Sequence, residues 1–334
     1  MDSLTQIVLG AAVAEVIAGK KLGNRAILYG GILGTIPDLD VVVGKFYDIV
    51  TANDIHRGFS HSIVFFLLAS PLLAFVLKKL EARNAFTFRE GFLMSFWCLF
   101  THALLDAFTN WGTQLFWPLP TRISIQSVFV VDPLYTLPFL FCVIMAMRFK
   151  RNNPVRGRWN RLGLVLSSSY LLLTLIIQTY ARHRFREALN MQGIEYSQLS
   201  VRPAPLNAIL WNANVEVDRG YLLGEYSVFD TSPIAFRYFP QNKALLGTRI
   251  DSPIARQLIR MSDGWYSISE SGGKLYFNDM RFGLISEESQ QPEFVFRYEI
   301  ENSAAGMTAH EADSPARREP GKLLGRLWKR MWGK

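Results

Sequence analysis

Cysteine is scarce in this sequence, with only Cys98 and Cys142 among 334 residues. Both lie inside apolar runs, and neither belongs to a Cys-x-x-Cys motif. A disulfide pair and a thiolate metal site are therefore not expected, and both cysteines are interpreted as packing residues.

The sequence also lacks a basic leader, since Met1-Asp2-Ser3-Leu4 contains neither Lys nor Arg. A cleavable signal peptide carries positive charge before its apolar core. We therefore expect the first apolar run to remain in the mature protein.

Acidic residues are outnumbered by basic ones, 28 against 36, which gives a net charge of +8. A basic excess can indicate nucleic-acid binding, but here the basic residues cluster beside apolar segments. Cytoplasmic loops of membrane proteins carry such clusters. We therefore expect a membrane-lipid environment and no nucleic-acid partner.

Hydrophobic residues make up 49% of the chain, which is high for a soluble protein. Several apolar segments approach the roughly 20 residues that a spanning helix needs. We predict six helices, at about residues 4–19, 26–43, 61–77, 91–108, 133–148 and 162–180. The first three are short or interrupted by Gly, Pro and Asp, so some of them can be re-entrant instead of spanning.

The connections between these segments alternate between rich and poor in basic residues. The basic ones contain Lys20, Lys21 and Arg25, then Lys78, Lys79, Arg83 and Arg89, then Arg148, Lys150, Arg151, Arg156, Arg158 and Arg161. The positive-inside rule makes this set cytoplasmic. A multi-pass inner-membrane protein is therefore predicted, with both termini and the C-terminal part on the outer, periplasmic side of a Gram-negative cell.

After about residue 180 the pattern changes to short β-type runs. Predicted strands lie at Gly220 to Phe229, Trp265 to Ser269, Lys274 to Phe277 and Glu293 to Ile300. Ser271-Gly272-Gly273 is typical of a hairpin turn. The predicted fold class is mainly α, a polytopic helical membrane domain (residues 1–180) followed by a small β-rich extramembrane domain (residues 181–300).

The last segment, residues 301–334, is predicted to be a flexible tail that ends in a basic amphipathic helix. Its composition turns to Ala, Glu, Arg, Gly and Pro. Beyond Lys322, apolar side chains recur on one helical face with Lys and Arg opposite. Such a helix can lie on a membrane surface, and the alternative is a disordered tail.

Polar residues that suit metal binding are concentrated in the helical half. They lie in three motifs, Gly34-Thr-Ile-Pro-Asp38-Leu-Asp40, His56-Arg-Gly-Phe-Ser-His61-Ser62 and Thr101-His102-Ala-Leu-Leu-Asp106. His102 and Asp106 are spaced i, i+4, so on a helix both side chains point from one face. The topology predicted from Lys and Arg alone brings all three motifs to the outer membrane face.

Imidazole nitrogens and carboxylate oxygens are ligands that Zn, Mn and Fe accept. We predict a site for a divalent metal, zinc foremost, holding one or two ions. The predicted ligands are Asp38, Asp40, His56, His61, His102 and Asp106. Without thiolates, an open, hydrolytic site is favoured over a closed structural one.

Several of these residues also have structural interpretations. Asp38 or Asp40 can cap the next helix. Asp132 can be a metal ligand, a residue that supports one, or an N-cap preceding Pro133. Arg57 can hold an anionic substrate group such as phosphate, or it can pair with Asp54. Further residues with open assignments are Glu15, as helix–helix contact or distant contributor, and Asn110, Trp111 and Gln114, as site lining or packing.

These motifs, together with Met1-Asp-Ser-Leu-Thr-Gln, Gly10 and Asp132-Pro-Leu-Tyr135, resemble the YdjM/YbcI-type membrane-bound metal-dependent hydrolases. The resemblance covers about residues 1–180 and does not extend to the β-rich part. That family is in turn similar to zinc-dependent phospholipase C and the fungal single-strand nucleases, which use clusters of His and Asp to hold zinc. Many relatives carry Thr-His where this chain has Thr5-Gln6, so an altered or reduced metal count is expected.

The resemblance implies hydrolysis of an ester, a phosphoester foremost, by metal-activated water. A site at the membrane surface suggests a lipid or lipid-linked substrate, with Asp38 or Asp40 as general base and Arg57 on the substrate. The alternative is a non-catalytic membrane protein with a structural or transported metal and an outer domain that binds a partner. An open coordination position distinguishes the two, because a structural zinc is fully coordinated by protein.

Overall fold

A computed structural model describes residues 1–286, 293–303, 306–312 and 320–333. Over these residues the helical part comes first and two antiparallel sheets follow, which confirms the predicted fold class. The first helices of the chain are α1 (Ser3–Leu22), α2 (Asn24–Thr35), α3 (Asp40–Gly44), α4 (Ile49–Ile55), α5 (Ile63–Leu80), α6 (Phe88–Ala107), α7 (Pro133–Met147) and α8 (Pro154–Met191). Short 3₁₀ turns lie at Pro37–Leu39, Phe59–His61 and Ala82–Asn84.

The chain divides into two compact units. The first, the helical unit, comprises Met1–Val43, Ile55–Ile176 and Pro205–Asn207. The second, the β-rich unit, comprises Gly44–Asp54, Ile177–Ala204 and Ala208–Lys334. The predicted metal ligands all belong to the helical unit.

Among the described residues, three helices are long and apolar enough to cross a membrane, namely α1, α5 and α8. A fourth candidate is α2 taken together with Pro37–Gly44, which are bent by 43° at their junction. The helix α6 has 20 residues but includes Arg89, Glu90 and Asp106, and α7 has only 15 residues. All six predicted segments form helices, and three or four of them meet the length and hydropathy requirement for a span.

Glycines allow α1 and α2 to pack closely. A Cβ atom added at Gly10 would lie 2.2 Å from the carbonyl oxygen of Gly30, and one added at Gly34 would lie 2.5 Å from that of Gln6. Only residues without a side chain permit this backbone approach. The contact carries Gly34, and with it the turn that follows α2, against the start of α1.

A buried ion pair joins α1 to the start of α8. Arg156 donates from Nε and Nη2 to the two carboxylate oxygens of Glu15, each at 2.6 Å, and both side chains are buried. Nη1 of Arg156 donates to Oδ1 of Asn24 at 2.6 Å. Of the two interpretations of Glu15, helix–helix contact is the one observed.

The β-rich unit contains two four-stranded antiparallel sheets in which each strand pairs with the next along the chain. The strands are β1 (Gln198–Pro203), β2 (Leu210–Val217), β3 (Gly220–Ser227), β4 (Phe236–Pro240), β5 (Tyr266–Ser271), β6 (Lys274–Ser286), β7 (Glu293–Ser303) and β8 (Gly306–Glu311). Its helices are α9 (Pro253–Met261) and α10 (Pro320–Met331), and a 3₁₀ segment lies at Lys243–Asp251.

The four predicted strands correspond to β3, β5, β6 and β7. The hairpin prediction is also confirmed, because Ser271 pairs with Lys274 and both intervening glycines have positive φ. The strand β8 lies within the range predicted as a tail. It pairs with β7, for example Ala309 with Ile300. This pairing satisfies the backbone N–H and C=O groups of the strand, and composition alone does not indicate it.

The helix α8 continues beyond the predicted end near residue 180. In this continuation Ala181, Phe185 and Leu189 are buried at i, i+4 and i+8, while the residues between them are largely polar. An amphipathic stretch of this kind has low mean hydropathy, so a search for apolar runs ends too early.

Candidate metal centre

Three elements of the helical unit bring four potential ligands together. Asp38 lies in the 3₁₀ turn after α2, and His61 ends the 3₁₀ turn before α5. His102 and Asp106 lie one turn apart on α6. Single ligand atoms of these residues all lie within 4.8 Å of one another. We call this group the His/Asp cluster.

Local sequence explains the two turns. The helix α2 ends at Thr35, and Pro37 opens the next turn because it cannot donate a backbone hydrogen bond. Ser62 is the N-cap of α5 and accepts a hydrogen bond from the backbone N–H of Phe65 at 3.1 Å. Asp38 and His61 therefore each lie at a helix boundary, where a side chain can turn inward without interrupting a helix.

Five distances between ligand atoms of the cluster are close to those of a tetrahedral metal centre. Nε2 of His61 is 3.4 Å from Oδ1 of Asp38 and 3.5 Å from Oδ2 of Asp106. Nε2 of His102 is 3.4 Å and 3.7 Å from the same two atoms, and the two Nε2 atoms are 3.1 Å apart. Zinc bonds of 2.0–2.2 Å at tetrahedral angles separate neighbouring ligand atoms by about 3.3–3.6 Å. The donor set and its spacing fit a zinc-like ion.

Hydrogen bonds at the other ring nitrogens orient both imidazoles. Nδ1 of His102 lies 2.6 Å from the carbonyl oxygen of Gly34, so this nitrogen is the donor and Nε2 presents a lone pair. Nδ1 of His61 lies 3.0 Å from Oγ of Ser60. Metal-binding histidines characteristically have such a partner on the second nitrogen.

Asp40 and His56, also predicted as ligands, lie beside the cluster and are not members of it. Oδ1 of Asp40 is 2.7 Å from Nδ1 of His56. Oδ2 of Asp40 accepts hydrogen bonds from Oγ of Ser60 at 2.7 Å and from the backbone N–H of Arg57 at 3.0 Å. It is also 3.5 Å from Nδ1 of His61. Both oxygens of Asp40 thus contact residues 56–61, a segment that we call the histidine loop.

Arg57 is buried, and its guanidinium faces Asp106. Its Nε is 3.2 Å from Oδ2 of Asp106, and its Nη1 donates to Oγ1 of Thr109 at 2.9 Å. The backbone of Arg57 has a φ of +62°, which a non-glycine residue adopts at an energetic cost. Backbone strain at Arg57 therefore accompanies the conformation that directs its guanidinium toward Asp106. The alternative partner, Asp54, has a side chain outside the described part of the structure.

Oδ1 of Asp106 contacts the first turn of the chain. The side-chain amide of Gln6 donates to it at 3.0 Å and to the carbonyl oxygen of His102 at 3.3 Å. The amino group of Met1 also contacts Oδ1. Among the described residues, Oδ2 of Asp106 accepts no hydrogen bond of good geometry. This oxygen faces Nε of Arg57 at 3.2 Å and Nε2 of His61 at 3.5 Å, and a metal ion is a further partner that a buried carboxylate oxygen can accept.

The cluster strongly favours a positive charge at its centre. Burial lowers the pKa of His61, but the carboxylates of Asp106, Asp38 and Asp40 more than offset this and raise it to about 9. Three members of the cluster are fully buried, while 23% of the Asp38 side chain is exposed. Access to the centre is therefore from the side of Asp38.

Other polar residues singled out from the sequence lie outside the cluster, although Gln114 adjoins it, since its backbone N–H donates to the carbonyl oxygen of Arg57 at 3.0 Å. Asp132 is the N-cap of α7, accepting hydrogen bonds from the N–H groups of Leu134 and Tyr135, and Oδ2 accepts from the Tyr170 hydroxyl at 2.8 Å. Its N-cap interpretation is the one observed. Asn110 is buried, and Gln114 donates to the carbonyl oxygen of Pro120.

Three contributors could not be inferred as such from the sequence. The Gly34 carbonyl and the Ser60 hydroxyl lie within the quoted motifs, yet nothing in their residue types indicates that they orient a histidine. Gln6 stands where many relatives carry His, and in the structure its amide donates to Asp106. Its role depends on the packing of α1 against α6, which local sequence does not encode.

Comparison with known proteins relates the first half of the chain to a family of inner membrane proteins. Residues 1–185 match the model of a family described as YdjM inner membrane protein. A relative, the inner membrane protein YbcI of Escherichia coli (strain K12), is 33% identical over 110 residues, which cover 31% of this chain and 58% of that protein. No solved structure matches significantly. Because the family model covers more than half of the chain, this protein belongs to the YdjM inner membrane protein family.

Proposed function

We propose that this protein is a membrane-bound metal-dependent hydrolase that cleaves a phosphoester, with a lipid or lipid-linked phosphate as substrate. The observation that carries the proposal is the His/Asp cluster, in which four ligand atoms lie within 4.8 Å of one another and Asp38 is the exposed member. An open coordination position separates a catalytic metal site from a structural one, and we assign it to the exposed side, at Asp38.

The chemistry that a divalent ion supplies in such a site is polarisation of a phosphoryl oxygen and activation of water. We assign His61, His102 and Asp106 to hold the ion, zinc foremost. Asp38 is assigned to accept a proton from the attacking water, because its side chain alone within the cluster reaches solvent.

The residues around the cluster have supporting roles in this proposal. Asp40 fixes the Nδ1 side of His56, whose ring centroid is 5.8 Å from that of His61. The side chain of His56 is 28% exposed, so its ring can hydrogen-bond to a bound substrate. Arg57 provides a permanent positive charge that balances Asp106 and attracts an anionic substrate.

The proposed setting is a multi-pass protein of the inner membrane with the cluster and the β-rich unit on the periplasmic side. Alternation of basic connections supports this orientation. A test uses single cysteines in a Cys98→Ala/Cys142→Ala background. In spheroplasts, an impermeant maleimide should label Tyr238→Cys, whereas Lys79→Cys should react only after permeabilisation. The reverse pattern would refute the orientation.

The decisive experiment measures bound metal by elemental analysis of detergent-purified protein, together with hydrolysis of a chromogenic phosphodiester and a fluorescent phospholipid. The variant His102→Ala/Asp106→Ala should lose both the metal and hydrolysis. The matched control His183→Ala/Asp218→Ala removes the same residue types at exposed positions and should retain both.

Two results would overturn parts of the proposal. Metal at wild-type level in His102→Ala/Asp106→Ala would exclude the cluster as the metal site. Near-stoichiometric metal without hydrolysis of either substrate would favour the alternative, a non-catalytic membrane protein with a structural metal site and a partner-binding outer domain.

A further inference from the structure

The helix α10 presents three distinct faces. Leu323, Leu327 and Met331 recur at i, i+4 and i+8 and face the β-rich unit, where Met331 is buried with Ala204 and Leu210. Lys322, Arg326 and Lys329 form a second stripe, which is exposed. The third face carries Leu324, Trp328 and Trp332, again at i, i+4 and i+8.

The helix is anchored to the β-rich unit through its last turn. Arg330 donates to both carboxylate oxygens of Asp230, at 2.8 and 2.7 Å, and lies 3.2 Å from Glu225. Oγ of Ser227 donates to the carbonyl oxygen of Met331. A bidentate pair of this kind fixes orientation as well as position. The third face is consequently held outward by polar contacts on the opposite side.

The outward face is apolar and aromatic. Trp328 is 60% and Trp332 is 52% exposed, and their rings are 5.4 Å apart. Phe229, from the segment after β3, stacks on Trp332 at 5.5 Å and is also exposed. We call Leu324, Trp328, Trp332 and Phe229 the aromatic patch. Exposed tryptophans in such a group are costly in water and mark an interaction surface.

Charge indicates the partner. The sequence of α10 contains four basic residues and no acidic one, and its exposed basic stripe borders the aromatic patch. Tryptophan rings favour the interface between lipid headgroups and acyl chains, and adjacent Lys and Arg side chains bind anionic headgroups. A neutral or basic protein surface would offer no negative charge to pair with these basic residues.

We propose that the aromatic patch inserts into the interface of an anionic lipid bilayer, with Lys322, Arg326 and Lys329 on the lipid phosphates. This role concerns the β-rich unit and is independent of the proposed hydrolysis. It gives the second unit a binding surface of its own, a peripheral membrane contact in addition to the helices long enough to span.

Spin-label accessibility tests the proposal in the full-length protein. The label is attached at Gly325→Cys in the Cys98→Ala/Cys142→Ala background. A Cβ atom added at position 325 meets no atom within 4 Å. This position adjoins Trp328 and Trp332 on the helix, so both tryptophans are retained in the labelled protein. The control label is at Leu245→Cys, an exposed apolar position outside the patch. Collision rates with oxygen, which concentrates in lipid, and with a water-soluble nickel chelate are measured in nanodiscs.

In nanodiscs that contain phosphatidylglycerol, the label at position 325 should collide more with oxygen and less with nickel than the control. Each basic residue near an anionic surface strengthens binding by a factor of about five, so Lys322→Gln/Arg326→Gln/Lys329→Gln, which removes three positive charges, should weaken insertion on the order of 100-fold. The collision rates of the position-325 label should then approach those of the control label. In a purely zwitterionic nanodisc, the position-325 label of the protein that retains all three basic residues should also approach the control.

Two results would overturn the proposal. Equal accessibility of the two labels in anionic nanodiscs would place the patch in water. Protection of the position-325 label from both oxygen and nickel would indicate that protein covers the patch, a second copy of this chain being the first occupant to test.

Discussion

Two buried charged groups in the helical unit differ in how completely the protein satisfies them. In the Glu15–Arg156 pair, two donors meet two carboxylate oxygens at 2.6 Å, and Asn24 takes a further donor. In the His/Asp cluster, two imidazole Nε2 atoms and two carboxylates face one another at 3.1–3.7 Å. The first arrangement is complete without a ligand. The second contains more acceptors than donors and favours a positive charge at its centre, either a proton on His61 or a metal ion.

This comparison separates structural charge from functional charge. Burial alone does not distinguish the two, since both groups are almost fully inaccessible. The distinguishing feature is whether donors and acceptors are matched within the protein. Four substitutions or conditions test the distinction, and they should affect stability at one group and metal binding at the other.

The largest effect is expected for Glu15→Gln. It leaves the Arg156 guanidinium buried with an uncharged partner, and loss of one member of a buried pair costs about 3–5 kcal/mol. Thermal unfolding in detergent should show this loss, while metal per folded molecule should stay at the wild-type level. The exposed Lys20→Gln on the same helix is the control, and equal melting temperatures for the two variants would contradict a structural role for the pair.

The next effect concerns Asp40→Asn. Asp40 holds the histidine loop through Ser60, His56 and the Arg57 backbone, and residues that orient metal ligands contribute about 10–100-fold to metal affinity. A chelator competition should show weakening in this range with unfolding little changed. Asp218→Asn, at an exposed position, should bind as the wild type does. Complete loss of metal from Asp40→Asn would instead identify Asp40 as a ligand.

Sequence alone predicted the cluster because its ligands lie in short local motifs. The i, i+4 spacing of His102 and Asp106 follows from helix geometry, and the turn residue Pro37 and the N-cap Ser62 mark where Asp38 and His61 leave regular helix. Which carboxylate of Asp38-Leu-Asp40 joins the cluster could not be predicted. A single 3₁₀ turn directs one toward His102 and the other toward His56, and the difference depends on tertiary contacts.

Contacts between residues far apart in the sequence account for the other features that were not predicted. Glu15 and Arg156 are 141 residues apart, and Gln6 reaches Asp106 across 100 residues. Such contacts depend on which helices are neighbours. The strands β1 and β2 were not predicted because Pro203 and several polar residues interrupt their alternation, and their pairing, for example Val201 with Ala213, supplies the missing information.

A smaller and graded effect is expected from pH. His61, with its pKa raised to about 9, holds a proton in the metal-free protein at neutral pH, and a metal ion must displace it. Lower pH therefore favours the metal-free state. Metal affinity should rise about tenfold per unit between about pH 7 and 9, and level off above that. A flat affinity over this interval, measured by chelator competition, would argue against His61 as a ligand.

The smallest effect is expected for Asp132→Ala. Asp132 is a buried carboxylate outside both groups, and the substitution tests whether it stabilises the fold or binds metal. Asp132 caps α7 through the N–H groups of Leu134 and Tyr135, and loss of an N-cap costs about 0.5–2 kcal/mol. Thermal unfolding should show this decrease, and metal content should remain unchanged because Asp132 lies outside the cluster. Asp132→Asn retains a capping oxygen and should restore most of the stability. Metal loss in both variants would assign Asp132 to metal binding, because an N-cap can be asparagine whereas a carboxylate metal ligand cannot be replaced by it.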